Sequence, residues 1–275
     1  MKHKSIHIGS LILIALSILS PVLYPQENAS KSNYKPEVGQ EGKDVVWVPT
    51  PQALVDKMLD LAKVTSEDYL IDLGSGDGRT VIAAAKRGTR ALGIEYNPDM
   101  VALSRQNADN EGVKDMAQFK EADLFETDLS QATVITMFLL PDINLKLRPR
   151  LLDLKPGTRI VSNTFTMQDW HFDDTLKTSD RSIRWNTAYL WIVPARIEGL
   201  WKLNDGELSI TQEFQNFSGT LKKGDKSFEF SSGRLRGNEI KFTAGGEFYT
   251  GTVEGNKIEG TMISSGIEKK WSAVR

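Results

Sequence analysis

The chain contains no cysteine. Disulfides, zinc–thiolate sites, iron–sulfur clusters and cysteine nucleophiles are therefore excluded together. Histidine is nearly as scarce: of three, His3 and His7 lie in the first ten residues and His171 stands alone. A histidine-rich metal centre is excluded with them, and no metal is expected. Charge of one sign is also lacking, with 34 Lys and Arg against 36 Asp and Glu and a net charge of −2. No global field draws in nucleic acid, which is not expected as a partner, or an anionic membrane. No apolar run is long enough for a full bilayer span; the most apolar stretch, Ile8 to Leu19, falls short of the roughly 20 residues a span needs. What is present is a folded composition, 40% hydrophobic and 25% charged, over 275 residues. That length has room for one ordinary domain and a smaller one.

The first residues differ from the rest. Lys2 and Lys4 precede the apolar run, and Ser20, Pro21 and a polar stretch through Gln26, Glu27 and Asn28 follow it. This positive–apolar–polar order reads as a secretory signal or an anchor over residues 1–29. No cysteine follows, so a lipoprotein anchor is excluded, and Glu27 spoils a small-x-small pattern before Ala29, which leaves an uncleaved anchor open. With lysines only in front, the body is expected outside the cytoplasm, exported to a periplasm or held at a membrane through this segment. Residues 30–44 are rich in Ser, Asn, Lys, Pro, Glu and Gly without an apolar period and read as a flexible linker.

From residue 45 to 195 the pattern alternates between strand and helix. Leu54, Met58, Leu61 and Val64 recur at helical spacing after Pro51. Tyr69–Leu73 is a short apolar run suited to a buried parallel strand. It breaks into Gly74-Ser75-Gly76-Asp77-Gly78-Arg79, and a second helix starts near Thr80. A strand, a glycine loop and a helix N-terminus together present backbone N–H groups to a ligand. The dinucleotide fingerprint requires glycine at its sixth position, where Arg79 stands, and no Gly-Lys-Ser/Thr follows for a phosphate loop.

The remaining pattern, Asp72-x-Gly74-x-Gly76-x-Gly78, resembles the first motif of the class I S-adenosylmethionine-dependent methyltransferases. Ala91–Glu95 reads as a second strand with Glu95 17 residues past Gly78, and Ala122-Asp123-Leu124 follows a strand around Gln118–Lys120. The resemblance implies a Rossmann-like α/β sheet with helices on both faces, and S-adenosyl-L-methionine as cofactor. It further implies that Glu95 accepts hydrogen bonds from both ribose hydroxyls, that Asp123 meets the adenine amino group, and that Asp72, Gly74, Ser75, Gly76, Gly78 and Leu124 complete the cofactor site. A carboxylate suits a vicinal diol because it offers two acceptor oxygens. Val48–Pro51, the glycine loop and Phe138–Pro141 also look like the small protein-lysine methyltransferases of the ATP-synthase c-subunit type and their bacterial relatives, over about Val45 to Trp170. Adenine- and glutamine-methylating enzymes carry Asn/Asp-Pro-Pro-Tyr after strand four, whereas Leu139-Leu140-Pro141-Asp142 stands here.

Thr133–Leu140 reads as strand four, Asp142–Leu152 as a helix, Gly157–Ser162 as strand five and Tyr189–Pro194 as the last strand of this domain. The acceptor is expected from the side of Pro141, with Val48–Pro51 as a lid. Asp142 reads as a helix N-cap, and no catalytic base is named. Phe165 and Trp170 fit either a substrate mouth or buried packing; His171 is given no role.

Residues 197–275 hold 12 of the 22 glycines, which reads as turn-rich strands. Gly237-Asn238 and Gly255-Asn256 recur at a period of 18 residues, as repeated hairpins in an antiparallel meander over 196–275. Phe228, Phe230, Ile240, Phe242, Phe248, Val253, Ile258 and Met262 are expected on its apolar face. The module reads as a structural addition or as a device for substrate capture. The function expected is methyl transfer to a protein side-chain amine, lysine. A small-molecule methyltransferase and a non-catalytic exported binding protein on the same scaffold are the alternatives. Oligomeric state is not legible.

Overall fold

The computed structural model describes residues 34–179 and 184–275. Residues 1–29, read as a signal or anchor, lie outside the described residues, as do 30–33 of the linker. Among the described residues no helix is long and apolar enough to cross a membrane.

Helix α1 (Gln52–Leu61) starts behind Pro51 and buries Leu54, Val55, Met58 and Leu59 on one face. Strand β1 (Tyr69–Leu73), helix α2 (Arg79–Lys86), strand β2 (Arg90–Glu95), helix α3 (Pro98–Asn110) and strand β3 (Ala117–Glu121) follow in alternation. The start of α3 is fixed by Asn97, whose Oδ1 accepts from the amides of Asp99 and Met100 at 2.9 and 3.3 Å, with proline at the first helical position. Strand β4 (Val134–Met137), helix α4 (Pro141–Leu152) and strands β5 (Arg159–Asn163), β6 (Asp174–Lys177) and β7 (Thr187–Ile192) complete the first sheet. Its order is β3-β2-β1-β4-β5-β7-β6, parallel except for β7.

The strands are apolar on both faces because helices or rings cover both. Leu70, Val134, Val161 and Leu190 join the core under α1, α2 and α3. Their neighbours Ile71, Ile135, Ile160 and Trp191 join the opposite core with Leu147 and Leu151 of α4. Strand four is shorter than its apolar run, because the chain leaves the ladder before Leu140, which caps α4. Asp142 is thus not the N-cap: it lies in the first turn, and no side chain caps that helix. The short strand β6, too polar to read from sequence, pairs with β7 at the sheet edge.

The C-terminal module is a closed barrel rather than an open meander. Strands β8 (Gly199–Leu203), β9 (Gly206–Glu213), β10 (Asn216–Lys223), β11 (Lys226–Arg236), β12 (Glu239–Ala244), β13 (Glu247–Glu254), β14 (Lys257–Ser264) and β15 (Ile267–Val274) pair antiparallel in sequence, and β15 returns to β8. Closure leaves no unpaired edge. The repeated Gly-Asn pairs form the β11–β12 and β13–β14 turns. Phe217, Phe230, Phe242, Tyr249 and Trp271 fill the interior with ring centroids 4.6–5.9 Å apart. Phe248 is not among them. It is 42% exposed while Tyr249 is fully buried, since alternation inward from Val253 reaches 251 and 249.

The barrel is bonded to the sheet region. Among the described residues no helix separates β5 from β6, and the face left open is filled by Trp170 and Trp191, with Phe214 of the β9–β10 turn stacked on Trp170 at 5.9 Å. Beside them the Gln215 amide donates to the His171 carbonyl at 2.6 Å, and Arg234 pairs with Asp173 at 2.8 Å.

Candidate functional site

The chain adds β2 and β3 on one side of β1, then crosses to start β4 on the other. In open parallel sheets ligands gather at the strand C-termini beside such a switch. Here that place holds Gly74, Gly76 and Gly78, all left-handed at φ +75°, +54° and +84°. Two of them are fixed by close approach as well. A Cβ on Gly76 would lie 2.6 Å from the indole nitrogen of Trp47, and one on Gly78 would lie 2.7 Å from the Phe119 ring.

The loop is tied down from behind. The amides of Gly74 and Ser75 both donate to the Ile94 carbonyl at 2.9 Å, and the Ser104 hydroxyl donates to the Gly76 carbonyl at 2.8 Å. The Gly76 amide donates to Glu95 Oε2 at 2.9 Å, while Glu95 Oε1 accepts from the amides of Tyr96 and Asn97 at 2.9 and 3.0 Å. Glu95 is therefore held in one pose, with lone-pair capacity left on Oε2. Asp77, at the border of the hollow, clamps Arg79, whose guanidinium also donates to the Thr50 carbonyl at 2.9 Å. Its work is structural.

Asp72 and Thr136 are register partners on β1 and β4, and the threonine hydroxyl donates to Asp72 Oδ1 at 2.7 Å. Burial pushes the Asp72 carboxyl up to about 7 against that hydrogen bond, and the charges of Glu95 and Asp77 add to the rise. The Ser75 hydroxyl is buried and has no hydrogen-bond partner among the described residues. Asp123 accepts from the Phe125 amide at 2.7 Å and pairs with Lys43, which, with that amide, holds its carboxyl below the ordinary carboxylate range.

Gly74, Glu95, Asp123 and Leu124 line one solvent-open cleft. Asp72, Ser75 and Gly76 line the adjoining hollow, and Gly74, Trp47 and Phe138 border both. Gly78 lines neither and instead caps α2. Sequence reasoning missed Lys43, Trp47 and Tyr96. The segment read as a linker is folded at its end: the Gly39 amide donates to the Trp47 carbonyl at 2.8 Å, and the Trp47 amide to the Gln40 carbonyl at 2.9 Å. This turn carries Trp47 over the glycines and Lys43 onto Asp123, 4.5 Å above the Tyr96 ring. The one available signal was a tryptophan inside the short apolar run Val45–Val48.

On the far side of the hollow Phe138, Phe165 and Trp185 meet at centroid distances of 6.0, 6.0 and 5.7 Å. Trp170, by contrast, is wholly buried against Trp191 and Phe214. Of the two readings open for Phe165 and Trp170, burial assigns Trp170 to the core, while Phe165 stays half-buried beside Phe138.

A family model described as the ANTKMT methyltransferase domain matches residues 72–174. A protein-lysine N-methyltransferase of Saccharolobus islandicus (strain REY15A) is 41% identical over 152 residues, 54% of this chain and 94% of its own length. The lysine N-methyltransferase of Rattus norvegicus that is named for the ATP-synthase c-subunit is 31% identical over 169 residues, 61% of this chain and 72% of its own. An RNA methyltransferase from Salinibacter ruber, solved with S-adenosyl-L-homocysteine, is 49% identical and superposes with a TM-score of 0.51, covering 55% of this chain and 96% of that one. The sheet order, the glycine loop and these likenesses agree: the chain belongs to the protein-lysine N-methyltransferases, enzymes of the class I S-adenosylmethionine-dependent fold.

Proposed function

We propose that the chain methylates a lysine side chain of a protein, holding S-adenosylmethionine in the cleft at the β1–β4 switch. The observation that carries this is Glu95, fixed by three backbone amides beside left-handed glycines at the switch point. The residues fit the group. A Cβ would fill the cradle at Gly76, and the buried Ser75 hydroxyl awaits a partner. Glu95 would accept from the ribose hydroxyls, Asp123 from the adenine amine with Leu124 at its side, and Gly74, Ser75 and Gly76 would admit the amino-acid end to the backbone beside Asp72.

When bound, the cofactor supplies a methyl group on a positively charged sulfur. The protein then has to align an amine with that methyl and exclude water. Trp47 roofs the hollow, and Met137 and Phe138 wall it off on the β4 side. Glycine loop, Glu95 and Asp123 set the cofactor's direction without contributing a proton step.

Calorimetry with S-adenosyl-L-homocysteine followed by labelled-methyl transfer to a cell extract tests the reading. Binding and label recovered in lysine support it. Label in RNA, the substrate named for the Salinibacter protein, or in a metabolite sinks the protein acceptor, and binding without transfer favours a retired scaffold. We further propose that residues 1–29 export or anchor the chain, supported by their basic, apolar and polar order. Protease protection in fractionated cells checks it: a body digested only after lysis of the inner membrane overturns an outward orientation.

A further inference from the structure

We propose that Phe138, Phe165 and Trp185 form an aromatic mouth that grips the acceptor's alkylammonium, and grips it more tightly as methyl groups are added. The inference rests on the lysine-methylating reading and names the part of the site that selects the side chain.

The three rings come from three neighbouring strands. Phe138 directly follows β4, Phe165 stands two residues past β5, and Trp185 two residues before β7. Because β7 runs antiparallel to β5, its first residues share the edge where β4 and β5 end. The centroids form a nearly equilateral triangle, 6.0, 6.0 and 5.7 Å, with planes inclined at 21°, 62° and 48°. All three residues are only partly buried, whereas Trp170, Trp191 and Trp201 are fully enclosed. Phe138 at the same time borders the hollow that holds Asp72 and Gly76. A side chain reaching that hollow past Phe138 therefore enters beside a ring that is itself packed on Phe165 and Trp185.

The backbone is strained to put Phe165 there. Thr164 is left-handed at φ +63°, a conformation that β-branched residues avoid. It is held by its amide donating to the Thr187 carbonyl at 2.7 Å and by its hydroxyl donating to Asn163 Oδ1 at 2.8 Å. The wholly buried Asn163 amide in turn donates to the Thr50 hydroxyl at 3.2 Å, so the turn is braced against the segment before α1.

Ring faces carry the negative end of the aromatic quadrupole and attract cations, and a methylated ammonium sheds its water more cheaply than a bare one. One face already takes a cation: the Arg184 guanidinium lies 5.1 Å from the Trp185 ring centroid. Lysine thus enters as an ammonium, gives up one proton to solvent so that its nitrogen can take the methyl, and leaves as the better-held methylammonium, which favours repeated transfer on one side chain.

The test titrates the full chain, saturated with S-adenosyl-L-homocysteine, with Nα-acetyl-trimethyllysine amide, Nα-acetyl-lysine amide and the neutral tert-butyl analogue in which carbon replaces the nitrogen. The Trp185 indole N–H resonance, assigned by its loss in Trp185→Phe, reports binding. The expected result is saturable shifts with trimethyllysine tightest, lysine weaker and the neutral analogue weaker than trimethyllysine by about tenfold. Phe165→Leu should cost trimethyllysine a comparable factor and Phe165→Tyr little. Equal affinity for the neutral analogue, no loss in Phe165→Leu, or no shift at Trp185 overturns the mouth. If S-adenosyl-L-homocysteine binds but the cations do not, the mouth alone falls; if S-adenosyl-L-homocysteine itself fails to bind, the methyltransferase reading falls first.

Discussion

In the seven-stranded sheet the informative glycines lie outside the strands, at Gly74, Gly76 and Gly78, all turned to positive φ, the first two facing a cleft and the third opening α2. In the barrel the informative ones lie inside strands. A Cβ on Gly260 would fall 1.9 Å from the Thr250 carbonyl oxygen, and one on Gly233 would fall 2.4 Å from the Phe217 ring. The first set shapes a surface for a ligand; the second makes volume for rings. The contrast extends to polar groups, since the sheet buries a carboxyl at Asp72 and leaves Ser75 unpartnered, whereas the barrel's inward Tyr249 hydroxyl is satisfied by Glu247 at 2.6 Å. The carboxyl and hydroxyl at the sheet's rim border the hollow where a ligand would sit, and the barrel's buried tyrosine hydroxyl is spent on an internal partner.

The most severe test of that contrast is a pair of valines. Gly260→Val drives a side chain into the backbone of the neighbouring strand and should cost at least about 3 kcal/mol of stability, enough to melt the barrel near ambient temperature. Gly76→Val, strained at φ +54° but on a loop at the sheet's rim, should lower the melting temperature less than Gly260→Val does and abolish binding of S-adenosyl-L-homocysteine, because its side chain would occupy the space under Trp47. Circular dichroism melts and calorimetry read the two effects separately. If both variants lost stability and binding alike, the division of labour would be wrong.

Next in size is the pH dependence of Asp72. Its carboxyl is raised from 3.8 to about 7 in the folded protein, so ionising it costs the folded state more than the unfolded one. The associated stability is whole below about pH 4 and is lost as pH rises towards 7. Asp72→Asn, which still accepts from Thr136, should therefore be more stable than the parent at pH 8, by on the order of 4 kcal/mol. The gain should fade as pH falls and vanish near pH 4. The barrel offers the counterexample: burial pushes Tyr249 up to about 12, and Tyr249→Phe should show no pH-dependent difference between pH 6 and 8, where neither it nor its partner Glu247 titrates. Urea midpoints at pH 4, 6 and 8 decide both, and a flat Asp72→Asn difference would show that the carboxyl is solvated.

A smaller effect is expected at Glu95. Glu95→Gln keeps one acceptor oxygen for the backbone amides but loses the charge and half of the acceptor set. S-adenosyl-L-homocysteine should bind about 1–3 kcal/mol more weakly, with the melting curve little changed. An unaltered dissociation constant would remove Glu95 from the cofactor site and leave it as a brace for the loop.

The glycine loop, its two flanking strands and Glu95 were legible because their signals are local: alternate glycines after an apolar run need no distant partner to be read. Barrel closure was not legible, since the β15–β8 ladder pairs Ala273 with Leu203 and no short pattern encodes a contact at that separation. The choice between Phe248 and Tyr249 for the interior depends on register, which two adjacent aromatics leave open until the partner strand is known. Strand β6 has a polar sequence at a sheet edge, and Trp185 gains its meaning only from Phe138 and Phe165, each over 19 residues away. The hardest residue to foresee was Lys43. It lies in a polar, proline- and glycine-bearing stretch whose composition describes a tether, yet it forms an ion pair with Asp123, 80 positions on.

That ion pair gives the last prediction and the finest test of a rim organised for exchange. Lys43 is partly exposed, and its ammonium sits on the carboxylate proposed to receive the adenine amine. Cofactor and lysine then compete for Asp123, so Lys43→Ala should bind S-adenosyl-L-homocysteine slightly more tightly than the parent. Exposed ion pairs are weak and screened by salt, so the advantage should shrink as ionic strength rises, the parent approaching the variant. Calorimetry at low and high salt measures it. Weaker binding in Lys43→Ala would mean that the lysine closes over the cofactor as a contact, and the terminal segment would then count as part of the binding wall rather than as its competitor. The barrel carries a matched control in Lys223, paired with Glu247 at 2.8 Å away from any part of the cleft. Lys223→Ala should leave cofactor affinity unchanged at every salt concentration.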